Sequence, residues 1–205
     1  MAPKKISTIV FDFDGVLSAD NTEDILRRSS LPVDGALLYN RMIASRPFYE
    51  CMKGRISFTE FKTSLVEIAD TSAEVAEEIV RSIIEERGIS HSVLNVVRRL
   101  KDAGFILVLH SDMMKVPFDA WTRKFSLKDN FDHLICSAYM GTLKNDPETY
   151  DKVLSFLEAA PEEVLYVDDS KANIYTAKAK GMHGIVFRSA ETLLVELGKM
   201  GLLSS

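Results

Sequence analysis

The chain has 205 residues, of which 46% are apolar and 27% charged, a balance that supplies an ordinary hydrophobic core and excludes global disorder. Its net charge of −5 lacks the basic footprint that a phosphate backbone requires, so no nucleic-acid partner is expected. No window reaches the roughly 18 apolar residues of a membrane span, and the apolar run near the start is cut short by Asp12 before it could serve as a signal peptide. A cytoplasmic protein with no membrane contact is expected, as a monomer or small homo-oligomer. Cys51 and Cys136 lie far apart, match no metal-ligand spacing, and read as reduced, partly buried thiols.

In chain order, the first element is an apolar run over 6–11, continuous rather than alternating, as in a parallel strand covered on both faces. From position 17 to about 104 the pattern turns almost wholly helical, with candidate helices at 22–29, 34–44, 58–69, 73–86 and 92–103. Thr71 or Ser72 can cap the fourth of these, with Glu74 in its first turn. One crossover needs one helix, so the surplus predicts a helical lobe inserted after the first strand. The boundaries are set at 17–88 for this cap and at 1–16 with 89–205 for the core. Four further apolar runs follow at 105–110, 133–136, 164–167 and 184–187, with helical patterns at 147–157 and 172–180 between the later ones. Alternation of this kind predicts a doubly wound α/β fold whose site lies at the carboxyl ends of the strands.

Two of those strand ends are acidic. The run Ile9-Val10-Phe11-Asp12-Phe13-Asp14-Gly15 delivers two carboxylates one residue apart to a turn, where period-two geometry would send both to one side. Alone, the motif is equally well read as an Asp-Gly turn. Val164-Leu165-Tyr166-Val167-Asp168-Asp169-Ser170 repeats the design, although by itself it could be only a capped helix start. Together they bring four carboxylates to one sheet edge, a charge that calls for a cation, and hard oxygen ligands favour Mg²⁺. Ser111, at the end of the second strand, and Lys144, before a helix, could bring donors and positive charge to the same edge.

These four motifs, in this order over nearly the whole chain, resemble those of the haloacid dehalogenase superfamily. The resemblance implies a Rossmann-like core with a helical cap, and a magnesium-dependent phosphatase acting on a small phosphorylated metabolite such as a sugar phosphate. Asp12 would be the nucleophile, Asp14 the general acid and base, and Lys144 the neutraliser of developing charge. Ser111, Asp112 and Lys144 would hold the phosphate. Asp12, Asp14 through its backbone carbonyl, and Asp169 would bind Mg²⁺, with Asp168 as a second acid nearby. Lys53-Gly54-Arg55-Ile56-Ser57-Phe58-Thr59-Glu60-Phe61 is similar to a stretch in caps of the branch containing sugar-phosphate phosphatases and the phosphatase domain of epoxide hydrolases. Arg46, Phe48 and Tyr49 are candidates there for substrate contact, Arg46 as the grip on a second anionic group. Two positions depart from the family pattern: Asp112 replaces the usual asparagine, and Asn145 the usual proline. An extra carboxylate beside a phosphate is repulsive, so Asp112 either points away, is protonated, favours a substrate with a cationic portion, or weakens turnover. A phosphomutase uses the same residues, and a binding protein that has lost turnover would keep the fold. A dehalogenase is disfavoured by Asp14, because a halide leaves without a proton.

Overall fold

A computed structural model describes residues 6–203, so the outermost residues of the expected core segments fall outside it. Strand β1 (Thr8–Phe11) is central in a five-stranded parallel sheet of order β3-β2-β1-β4-β5, with β2 at Ile106–Ser111, β3 at His133–Cys136, β4 at Val164–Asp168 and β5 at His183–Val186. Alternate residues of β1 feed opposite cores. Ile9 and Phe11 pack on one face with α6 (His91–Asp102), α7 (Lys115–Lys124) and α12 (Ala190–Lys199), while Val10 packs on the other with α10 (Glu148–Leu157) and α11 (Lys171–Ala179). Burial on both faces along the whole length of β1 and β4 is why their runs are nearly continuous in apolar residues. The order reverses across β1 and β4, which makes the carboxyl ends of that pair the switch point where open α/β sheets hold their ligands.

The expected helical surplus is present. Between β1 and α6 the chain forms α1 (Thr22–Arg28), α2 (Gly35–Ala44), α3 (Arg46–Met52), α4 (Phe58–Ala69) and α5 (Ala73–Glu85). These helices bury a separate apolar cluster containing Leu26, Leu38, Met42, Phe61, Leu65 and Ile79. Side-chain caps set their starts: Asn21, Asp34, Ser45, Ser57 and Ser72 each accept from the first turn, and Ser57 with Glu60 completes a reciprocal capping box. Ser72 therefore takes the position that sequence shared between it and Thr71. The lobe reaches the core along α3 and α5, against α9 (Ser137–Met140), which follows β3, and α7, which follows β2. Helix α8 (Leu127–Asn130) links α7 to β3.

Two local devices fix the lobe's position. A narrow neck carries the chain out and back, where Ser18 bridges Ile89 in antiparallel fashion and Ser90 N–H donates to the Leu17 carbonyl at 2.8 Å. On the far side, Ser137 Oγ donates to the Met52 carbonyl at 2.7 Å and Lys53 Nζ pairs with Asp146 at 2.9 Å. Gly54 (φ 67°) sits so close to Ala138 that a Cβ would strike its carbonyl oxygen, so this junction requires glycine. Cys51 and Cys136 are buried and unpaired, and burial pushes their thiols up to about 11 and about 12. No helix among the described residues is long and apolar enough to cross a membrane.

Candidate active site

Strand β1 ends at Phe11, one residue before the first acid. Its register sets Phe11 opposite Val167 and Leu109, so the next step places Asp12 level with Asp168 and His110, with Ser111 one residue further along β2. The chain then enters a tight turn, Phe13–Leu17, in which Gly15 adopts φ 74°. A side chain at Gly15 would collide with the Asp169 carboxylate, so close approach as well as backbone conformation demands glycine.

Lys144 is the centre of the charge arrangement. Its Nζ lies 2.6 Å from Asp12 Oδ1 and 2.9 Å from Asp168 Oδ2, and all three side chains are buried or nearly so. Burial alone would depress the Lys144 pKa, but the acids packed on it, Asp12 foremost, hold it well above the usual lysine value. Burial pushes the Asp12 carboxyl up, and Lys144 opposes that shift. Asp12 Oδ1 also accepts from Phe13 N–H at 2.6 Å, whereas no protein donor among the described residues reaches Oδ2. Asp168 is saturated: beyond Lys144 it accepts from Ser170 N–H at 2.8 Å and from Asn173 Nδ2 at 3.1 Å on both oxygens. Asp169 is exposed beside them, and burial with the neighbouring Asp168 raises its pKa.

Asp12, Asp168 and Asp169 each place a carboxylate oxygen within 4.8 Å of the others, an all-oxygen set suited to a hard divalent cation. The Asp14 side chain is not in that group. It turns instead toward the neck, where Arg87 Nη1 donates to Oδ1 at 2.8 Å and Ser18 Oγ at 3.3 Å. The expectation that both acids share one side of the strand fails because the strand ends at Phe11 and the turn redirects Asp14.

Asp112 turns its carboxylate onto the backbone of the lysine loop. Its two oxygens accept from Lys144 N–H at 3.1 and 3.0 Å, tying the loop after β2 to the lysine loop, and burial raises its pKa. The proline constraint absent at Asn145 is replaced by a turn in which Asp146 N–H donates to the Leu143 carbonyl at 2.9 Å, with the Thr149 hydroxyl on the same carbonyl. Ser111 is buried at the end of β2. Arg46 stands exposed at the start of α3, outside the cavity between lobe and core, while Phe48 lines that cavity and Tyr49 is exposed. His110 is wholly buried behind Lys144 with Nδ1 on the Tyr166 hydroxyl, and burial drives its pKa well down.

Arg87 and Asn173 are the site residues that sequence reasoning missed. Asn173 had a signal, since it lies in the first turn of a helix that starts directly after the acidic pair. Arg87 had none. It is buried in the neck, its guanidinium 4.6 Å over the Trp121 ring, with Nη2 donating to Thr22 Oγ1 at 2.7 Å and Nη1 also reaching the Asp20 carbonyl.

Fold and site together define a doubly wound α/β protein in which a lysine clamps a strand-end aspartate at the switch point of the sheet. The chain belongs to the haloacid dehalogenase-like hydrolases, whose family profile matches residues 6–181. It is 28% identical over 209 residues to bifunctional epoxide hydrolase 2 of Rattus norvegicus, covering 93% of this chain but 38% of that protein. The chain thus spans under two fifths of the length of that relative. It is 26% identical to a phosphorylated carbohydrates phosphatase of Thermotoga maritima, over 88% of this chain and 84% of the relative. Among solved structures, a haloacid dehalogenase family enzyme of Bacteroides thetaiotaomicron in complex with magnesium and inorganic phosphate superposes with a TM-score of 0.72 at 19% identity, over 89% of this chain and 94% of that one.

Proposed function

We propose that this chain is a magnesium-dependent phosphatase that hydrolyses a small phosphomonoester through an aspartyl-phosphate on Asp12. The observation that carries this reading is the division of labour between the two motif acids. Asp12 is buried against Lys144 with one oxygen free of protein donors, and Asp14 is held apart by Arg87. In the first step the free Asp12 oxygen attacks phosphorus and the bond to the leaving oxygen breaks, with Asp14 supplying its proton. In the second, water gives a proton to Asp14 as it attacks phosphorus, and the bond to Asp12 breaks to release inorganic phosphate. Lys144 balances the negative charge that both steps build at this edge. Asp12, Asp169 and the Asp14 carbonyl would hold Mg²⁺, which when bound neutralises phosphate oxygens; Asp168 serves this set chiefly by fixing Lys144. Residues 17–88 act as a cap over the core, 1–16 and 89–205. The Asp14 proton also separates ester cleavage from halide expulsion, which needs none.

Phosphate release from p-nitrophenyl phosphate tests the reading directly. Release is expected with Mg²⁺ and should vanish in EDTA and return when Mg²⁺ is restored. A folded, Mg²⁺-binding protein that releases no phosphate from this or any aliphatic or sugar phosphate would be a binder, and the proposal would fail. Asp112→Asn gives a narrower check. Its amide oxygen can keep one bond to Lys144 N–H, and a negative charge near the phosphate is lost. The variant should melt within a few degrees of the wild type and show a KM several-fold lower. A raised KM would instead assign the Asp112 charge a binding role.

A further inference from the structure

We infer that the leaving group this enzyme accepts is apolar, an alkyl or isoprenoid-like alcohol, so that its substrates are lipid-like phosphomonoesters rather than sugar phosphates. The inference rests on the phosphatase reading and names the substrate class for the same site. A cavity of about 80 Å³ opens from Asp14 and Asp112 into the space between core and helical lobe. That is several times the roughly 10–15 Å³ needed to admit one water. Its position fits the mechanism, because the group attached to the leaving oxygen must extend away from the acid that protonates it.

The walls are apolar. Phe48, Phe58 and Phe61 come from the lobe and Trp121 from the core, and four of the chain's eight methionines, Met42, Met52, Met113 and Met114, fill the gaps between them. Flexible thioethers adapt to chains of varied shape. Among the described residues, the wall's polar members are Asp14, Thr22 and Asp112, and each already has a partner. Arg87 takes Asp14 and the Thr22 hydroxyl, and Lys144 N–H takes Asp112. Three polar residues offer too few partners for the several hydroxyls of a sugar, so most of those entering here would lose water without replacement, a cost of about 1–3 kcal/mol for each group left unpaired. Arg46 lies outside the cavity, and no lysine or arginine among the described residues lines its wall to meet a second phosphate.

The test is kcat/KM for ethyl, butyl, hexyl and geranyl phosphate, with glucose 6-phosphate and glycerol phosphate as polar comparators, on the full chain in Mg²⁺. The expected result is a rise of about fourfold per added methylene until the cavity fills, with hexyl phosphate well above glucose 6-phosphate. Phe48→Asn should flatten that rise. A flat or falling series, or preference for the sugar phosphate, overturns the apolar assignment while leaving the phosphatase reading intact. An unchanged slope in a folded Phe48→Asn variant would overturn the placement of the chain in this cavity. Absence of turnover on every ester, p-nitrophenyl phosphate included, would remove both readings together.

Discussion

Asp12→Asn is expected to reduce phosphate release by at least about 10⁴-fold while leaving the protein folded. The amide cannot form the acyl-phosphate bond, and neither neighbouring motif acid is free to take its place: Asp168 is saturated by Lys144, Ser170 N–H and Asn173, and Asp14 is held by Arg87. Stability should change little because two effects oppose each other. The substitution removes a carboxylate whose burial is unfavourable in its charged form, but it also deprives Lys144 of a partner at 2.6 Å. Lys144 retains Asp168 at 2.9 Å, and an asparagine oxygen can still accept from Phe13 N–H. Loss of turnover is therefore chemical rather than a consequence of unfolding. The readout is single-turnover phosphate release beside a melting curve; release that survives in the purified variant would sink the nucleophile assignment.

The parts legible in the sequence are those governed by local pattern. The five strands read as short apolar runs, and two end in acids, so the sheet edge and three of its carboxylates are legible in the sequence. Helical patterning gives four lobe helices to within a residue at either end, as at Phe58–Ala69, and a cap residue marks the start of Ala73–Glu85. Weak or contradictory local signals hid other elements. Helix α3 has seven residues and Pro47 in its first turn, and α7 carries Pro117 near its start, where proline is tolerated but reads as a breaker. Side-chain destinations were illegible for a different reason. Whether Asp14 faces the metal group or the neck depends on where β1 stops and on an arginine 73 positions away. Arg46 shows the converse, a plausible anion grip that helix geometry turns to solvent.

That distant arginine gives the second large effect. Arg87→Met is expected to lower kcat/KM for an alkyl phosphate by roughly 10²-fold or more, within the range that a positioned acid contributes. Arg87 does not touch the reacting atoms; it is a positioning residue that fixes Asp14 Oδ1 at 2.8 Å while anchored to Thr22, the Asp20 carbonyl and the Trp121 face. Methionine keeps much of the packed stem, so the fold should survive with a loss of about 1–3 kcal/mol, read as a lower melting temperature. The leaving group separates a positioning role from general damage. An alkoxide cannot depart without a proton, whereas p-nitrophenolate can, and kcat/KM reports only the steps up to the first phosphoryl transfer. The variant should therefore lose far more on the alkyl ester than on p-nitrophenyl phosphate, where kcat/KM should fall less than about fivefold. Its kcat should drop on both substrates, since water still needs Asp14 as base in the second step. Arg87→Lys keeps the charge but not the planar fork that spans Asp14 and Thr22, so it should recover only part of the loss. Equal losses on both esters would reduce Arg87 to a structural prop of the neck. A split between them would mean that the strap joining lobe to core also sets the catalytic acid, so that the position of the lobe and the readiness of Asp14 are controlled by one side chain.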